Sequence, residues 1–117
     1  MIKISLDESY VFDLLSIYEV KIDCAIDLDK KSKLQLSYNV LADEIQLSIG
    51  QQLFEEIIQS DIYKQLKQTN KIVFDLVDRA HETELSKQTA AANYDRYLNK
   101  MELQKMYFTN EITEVKL

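Results

Sequence analysis

The sequence holds one glycine, Gly50, and no proline among its 117 residues. A chain of this length has roughly eight glycines and six prolines at average usage. Tight turns depend on these two residues, so the sequence argues against β-sandwiches, barrels and doubly wound α/β folds, which need many turns. One glycine also cannot build the glycine-rich phosphate loops of nucleotide-binding folds. The sequence therefore predicts a mostly helical protein.

Charge and composition limit the partners that the chain can bind. The net charge of −6 opposes binding to nucleic acid, which relies on clustered basic residues. No apolar run reaches the roughly 18 residues of a membrane span, and the N-terminal residues lack a signal-peptide core. One cysteine cannot form an internal disulfide. We therefore expect a single cytoplasmic domain over residues 1–117 with no nucleic-acid or membrane partner; the excess of lysine over arginine favours a bacterial or phage origin.

Apolar periodicity predicts the first two helices. The first runs from about Asp7 to Leu28, and the second begins near Lys33. The apolar stripe changes sides at Gly50, which suits a helix C-terminus. We therefore expect a break at Gly50 and a short helix to about Gln59.

The second half of the chain predicts two further main helices. An N-cap signal at Ser60–Asp61 begins a helix that we expect to reach Lys87. The last helix starts near Thr89 or Ala90 and carries apolar residues as far as Val115. Alternation over Ile2–Leu6 predicts a short strand. The expected fold is an all-α antiparallel up-and-down helical bundle of four main helices with a short N-terminal strand.

One side of the first helix is acidic and polar. A charged stripe opposite an apolar arc is typical of a solvated helix surface. We therefore expect the following residues to face solvent: Asp13, Ser16, Glu19, Asp23 and Asp27. Cys24 lies in the apolar arc and is expected to be a buried structural residue.

Two blocks of the sequence resemble motifs of a family of small uncharacterised helical proteins from bacteria and phages. Residues 11–21, VFDLLSIYEVK, are similar to V-x-D-[KR]-[LI]-[ST]-I-L-E-I-K, and residues 70–79, NKIVFDLVDR, are similar to N-x-x-L-W-D-I-E-D-R. A looser similarity runs from Tyr94 to Asn110, where the family has a tyrosine and basic residues. The chain departs from the family at Ser9-Tyr10 for Gly-Glu, at Phe74 for Trp and at Val77 for Glu. The resemblance implies a helical fold and no defined activity.

Polar residues inside apolar arcs form a first candidate site. Lys21, Asn70, His81 and Lys105 each fall between apolar positions of their helices. Buried polar groups need partners, so these four residues are a candidate pocket for an anionic small molecule. In the alternative, Asn70 bonds to a neighbouring backbone, His81 is a satisfied core or boundary residue, and both lysines extend along the surface.

Acidic residues form a second candidate site. Glu55, Glu56, Asp75 and Asp78 approximate the E-E-x-x-E … E-x-x-D pattern of all-α nucleoside triphosphate pyrophosphohydrolases, with departures at Gln59 and Asp75. Carboxylates at these spacings share a helix face and bind Mg²⁺ through oxygen. This alternative predicts a Mg²⁺-dependent hydrolase.

Large side chains off the main apolar stripes indicate self-association. The set comprises Tyr10, Phe12, Phe54, Leu103 and Tyr107. Aromatic residues are favoured in interface cores, and the N-terminal strand has no evident partner within the chain. The leading hypothesis is therefore a non-enzymatic interaction or accessory module that forms a homodimer and needs no cofactor, with a further protein partner left open.

Overall fold

A computed structural model describes residues 1–2, 4–77 and 83–108, except for the side chains of residues 83–86. This part of the chain contains five α-helices: α1 (Glu8–Cys24), α2 (Leu28–Ile49), α3 (Gln51–Ile58), α4 (Asp61–Val77) and α5 (Thr83–Tyr107). The all-α prediction is confirmed. No strand is assigned to residues 1–2 or 4–7, so the N-terminal strand stays a prediction, as does the antiparallel bundle of four main helices. None of the helices in these ranges is both long and apolar enough to cross a membrane.

The connection between α1 and α2 is shorter than the sequence predicts. The first helix ends at Cys24, because Ala25 adopts an extended backbone. Asp27 then caps α2, its carboxylate accepting a hydrogen bond of 2.9 Å from the backbone N–H of Asp29. The predicted boundaries at Leu28 and Lys33 were therefore wrong, since the cap at Asp27 starts the helix earlier.

Gly50 separates α2 from α3, as predicted. Its φ of 91° lies in a region that side chains with a Cβ rarely adopt. Its N–H donates to the carbonyl of Gln46, and its own carbonyl accepts from Phe54. The lone glycine thus ends one helix and begins the next without losing either backbone bond.

The two C-terminal helices also differ from their predicted bounds. Ser60 caps α4 as expected, its hydroxyl accepting a bond of 3.2 Å from the N–H of Tyr63. α4 is described as far as Val77, and α5 (Thr83–Tyr107) continues without a break through residues 87–90, so the predicted boundary near residues 87–89 was wrong. The predicted continuation to Val115 lies outside the described residues.

The core forms around α1, which contacts α2, α4 and α5. Phe12 is fully buried, with its ring 6.2 Å from the rings of both Phe54 and Tyr63. Phe54 and Leu103 are also buried. The prediction that Phe12, Phe54 and Leu103 mark an interface was therefore wrong, because the helices that carry them are covered on more than one side. Tyr10 is exposed, and Tyr107 is half-buried.

Candidate functional site

A set of polar side chains, buried except for the half-buried Arg96, joins α1 to α4 and α5. This polar cluster consists of Asp13 and Ser16 on α1, Asn70 on α4, and Arg96 and Lys100 on α5. Asp13 is only 2% exposed. Arg96 binds its carboxylate with Nη2 at 2.7 Å from Oδ2 and Nε at 3.1 Å from both oxygens. Such multiple charge-assisted bonds fix geometry as well as adding attraction.

Asn70 and Ser16 complete the bonding around Asp13. Asn70 Nδ2 donates to Asp13 Oδ1 at 2.8 Å and to Ser16 Oγ at 2.7 Å. The Ser16 hydroxyl in turn donates to the backbone carbonyl of Asp13 at 2.7 Å. The carboxylate, amide and hydroxyl are thus engaged with one another, as buried polar groups require.

Lys100 extends the cluster towards the beginning of α1. Its ammonium lies 3.8 Å from Asp13 Oδ2 and 5.5 Å from the centroid of the Tyr10 ring. One turn further along α5, Gln104 accepts a bond of 2.9 Å from the N–H of Ser9 and donates one of 2.8 Å to Glu8. The first two turns of α1 are therefore tied to α5 by polar contacts.

The position of Asp13 and Ser16 corrects the predicted solvent-facing stripe. Ser9, Asp13 and Ser16 are spaced by four and three residues, so they share one side of α1. All three are buried, because α4 and α5 cover that side while α2 covers another. The prediction holds for Asp23 and Asp27, which are exposed, and Glu19 is half-buried.

Glu19 belongs to a second polar contact between α1 and α4. The Tyr63 hydroxyl donates a hydrogen bond to the Glu19 carboxylate, and Lys67 lies 3.8 Å from Glu19 and 3.0 Å from Asp23. Burial, followed by the charge of Glu19, raises the pKa of Tyr63 far above its ordinary value. The same two causes raise the pKa of Tyr38 on α2. The phenol of Tyr63 is therefore a hydrogen-bond donor over the whole ordinary pH range.

Of the four residues predicted to form an anion pocket, Asn70 is the one that the described structure buries. Lys21 and Lys105 are exposed, and His81 lies outside the described residues. Asn70 is buried, but its amide N–H groups are directed at Asp13 and Ser16. The exposure of both lysines agrees with the alternative in which they extend along the surface, and the four-residue pocket stays a prediction.

The acidic residues of the hydrolase alternative are on the surface where they are described. Glu55, Glu56 and Asp75 are exposed, and Asp78 lies outside the described residues. Glu55 accepts a bond from Gln51, and Asp75 pairs with Lys71 at 2.8 Å, which raises the pKa of that lysine. Within residues 1–2, 4–77 and 83–108, no three His, Cys, Asp or Glu side chains are grouped as metal ligands.

Cys24 has a free thiol and is half-buried. The prediction that this residue is buried was therefore wrong.

Sequence reasoning missed four of the five residues of the polar cluster. Periodicity places Asp13 and Ser16 opposite an apolar arc, and it gives no sign that Arg96 or Lys100 would lie beside them. Asp13 and Ser16 lie in the first block that was compared with a family motif, and Asn70 lies in the second; that resemblance stays a prediction. Arg96 and Lys100 lie in the third, looser stretch. The three stretches meet in this cluster.

The surface offers a different kind of feature along α2. This helix packs against α1 and α3 and has two buried residues, Ala42 and Ile45. On its opposite side, Leu36, Val40 and Leu47 are 66%, 64% and 81% exposed. With 3.6 residues per turn, these three side chains lie within about 40° of one another around the helix. We call this surface the outer face of α2.

Two apolar grooves flank α2. One, of about 350 Å³, is bordered by Ile4, Leu6 and Phe12 together with Ile45 and Ile49 of α2. The other, of about 420 Å³, lies next to the outer face. Its lining combines Leu14 and Tyr18 of α1 with the part of α2 that contains Leu36 and Val40. Apolar surface is thus continuous from the outer face of α2 to the side of α1.

Comparison with known proteins identifies no relative: no family model, curated protein or solved structure matches this chain.

Proposed function

We propose that this protein is a non-enzymatic interaction module that self-associates through the outer face of α2. The observation that carries the proposal is the exposure of Leu36, Val40 and Leu47 on one side of a helix whose other side faces the core. Aligned exposed apolar residues of this kind mark protein interaction surfaces more often than isolated ones.

The size of this surface is consistent with a dimer of moderate affinity. At about 1.5–3 kcal/mol per side chain, burying these three residues in each of two copies contributes roughly 9–18 kcal/mol in total. Loss of translational and rotational freedom on association opposes this by about 4–15 kcal/mol. The stabilisation from burial and the cost of association are of similar size, so the apolar contact can sustain association. Polar groups then determine the orientation of the two copies.

The polar cluster supports a structural role rather than catalysis. Asp13, which supplies the carboxylate of the cluster, is held by Arg96 and Asn70. Both oxygens of this carboxylate accept hydrogen bonds from other helices, which favours a role in holding the helices together. The hydrolase alternative gains no support from Glu55, Glu56 and Asp75, which are exposed. Its remaining test is direct: incubation with Mg²⁺ and a panel of nucleoside triphosphates should release no pyrophosphate.

The proposal retains the predicted antiparallel packing of four main helices and a cytoplasmic location. For α1 and α4, the polar contacts favour the antiparallel direction. Ser16 bonds to Asn70, whereas Glu19, further along α1, bonds to Tyr63, which lies earlier in α4.

Sedimentation equilibrium over a wide concentration range tests the proposed function. The wild type should move from the 13.7 kDa chain mass to twice that value as concentration rises. The double variant L36S/V40S should remain a single chain. The matched control I72S/L98S also replaces two exposed apolar residues, on α4 and α5, and should associate like the wild type. A wild type of one-chain mass throughout, or equal loss of association in the control, would contradict the proposal.

A further inference from the structure

The outer face of α2 has the spacing of a coiled-coil seam. Six residues lie along it at alternating intervals of four and three: Asp29, Lys33, Leu36, Val40, Asp43 and Leu47. A seam of this spacing keeps facing a partner helix along its length. The core-facing side of the same helix carries a separate apolar stripe that includes Ile45, so α2 can contact its own core and a second helix at once.

Charged residues lie on both sides of the apolar centre of this face, with Asp29 and Lys33 before it and Asp43 after it. Lys33 lies before the apolar centre, and Asp43 and Glu44 lie after it; all three are exposed. Lys33 now pairs with Asp29 of its own helix at 3.3 Å. A second α2 running parallel would place lysine against lysine and aspartate against aspartate. A second α2 running antiparallel would place Lys33 against Asp43.

The central apolar residues, Leu36 and Val40, fit the same register as the Lys33–Asp43 charges, whereas Leu47 lies opposite Asp29 in it. Leu36 and Val40 are equidistant from residue 38, and so are Lys33 and Asp43. An antiparallel pair with a twofold axis at residue 38 therefore sets Leu36 against Val40 and Lys33 against Asp43, each pair occurring twice. The groove of about 420 Å³ beside Leu36 and Val40 lies at this axis, where side chains of the second copy can enter it.

We propose that two copies of this chain pair α2 with α2, antiparallel, about a twofold axis at residue 38. This inference rests on the proposed self-association and adds its partner helix, direction and register. Twofold interfaces use the same patch on both subunits, and each residue pair then appears twice. The two Lys33–Asp43 pairs select the antiparallel direction, because like charges in the parallel arrangement oppose it.

A charge exchange tests the register. The variants K33E and D43K each place like charges at both symmetric positions, and each should weaken association about tenfold, measured as the dimer dissociation constant. The double variant K33E/D43K exchanges the charges and should return to within about threefold of wild type. It also lacks the Lys33–Asp29 pair, so recovery isolates the contact between copies. The control K31E makes the same charge change on another side of α2 and should leave the dimer dissociation constant within about threefold of the wild-type value.

Mixing the two single variants gives a second measurement. In an antiparallel pair, K33E and D43K together restore opposite charges at both positions, so native mass spectrometry should show the mixed dimer in excess over either homodimer. If the wild type is monomeric, the proposed function fails and this inference fails with it. If the wild type dimerises but K33E behaves like K31E, or the double variant stays as weak as the single ones, only the α2 pairing is overturned.

Discussion

Helices α1 and α2 are neighbours in sequence and in space, yet they distribute polar and apolar side chains in opposite ways. α1 buries Ser9, Asp13 and Ser16, whereas α2 exposes Leu36 and Val40 along its outer face. The difference follows from position: α1 is covered by three other helices, whereas α2 is packed on one side. A polar residue that is buried needs fixed partners, whereas an exposed apolar residue gains most from a partner outside the chain.

Removing Asp13 should produce the largest loss of stability. D13A leaves Arg96 and Lys100 without the carboxylate that they face, and loss of one member of a buried ion pair costs about 3–5 kcal/mol. D13N keeps the shape and should cost less, which guards against a variant that does not fold. The control D23A removes an exposed partner of Lys67 and should cost about 0–1 kcal/mol. Urea unfolding measures all three, and equal effects at positions 13 and 23 would contradict a structural role for the cluster.

The two sides of α2 should respond differently to the loss of an aliphatic side chain. I45A creates a cavity in the core and should lower the free energy of unfolding by about 2–5 kcal/mol. V40A, on the outer face, should change it by less than about 0.5 kcal/mol when the chain is dilute enough to be monomeric. A large loss in dilute V40A would mean that Val40 belongs to the core.

Replacing each of two serines on the same side of α1 by alanine should have different effects on stability. Ser16 bonds to Asn70, so S16A leaves a buried amide short of a partner and should cost about 1–3 kcal/mol. The Ser9 hydroxyl oxygen is buried and has no hydrogen-bond partner among the described residues, so S9A should be neutral or stabilising. Thermal unfolding of the two variants checks this, and destabilisation by S9A would indicate that its hydroxyl has a partner after all.

Tyr63 should make the free energy of unfolding depend on pH in the alkaline range. Its pKa is raised above 10.0 by burial and by Glu19, so the unfolded chain loses this proton at a lower pH than the folded chain. The stabilisation is complete below about pH 10 and declines as pH rises, by at most about 1.4 kcal/mol per pH unit. Y63F should lose less stability than wild type between about pH 10 and 11. The control Y94F alters an exposed tyrosine and should follow the wild type; parallel profiles for all three proteins would refute the assignment.

Local features of the fold were predictable because they depend on adjacent residues. The break at Gly50 and the cap at Ser60 follow from residue type and near neighbours alone. The end of α1 at Cys24 was missed because Asp27 was placed within the first helix, although its carboxylate caps α2. The polar cluster was missed for a different reason, since Asp13 and Arg96 are 83 residues apart and no periodicity within one helix relates them.

The sequence by itself determined that the chain is helical and where the lone glycine divides it, since propensities and caps are short-range. It also fixed the angular order of side chains around each helix. Only the tertiary structure decided which sides of each helix are covered by other helices. A helical wheel gives the same result for an aspartate facing water and one facing an arginine on another helix. Asp13 is buried because α4 and α5 both pack against its side of α1, and Leu36 is exposed because no other described helix packs against the outer face of α2.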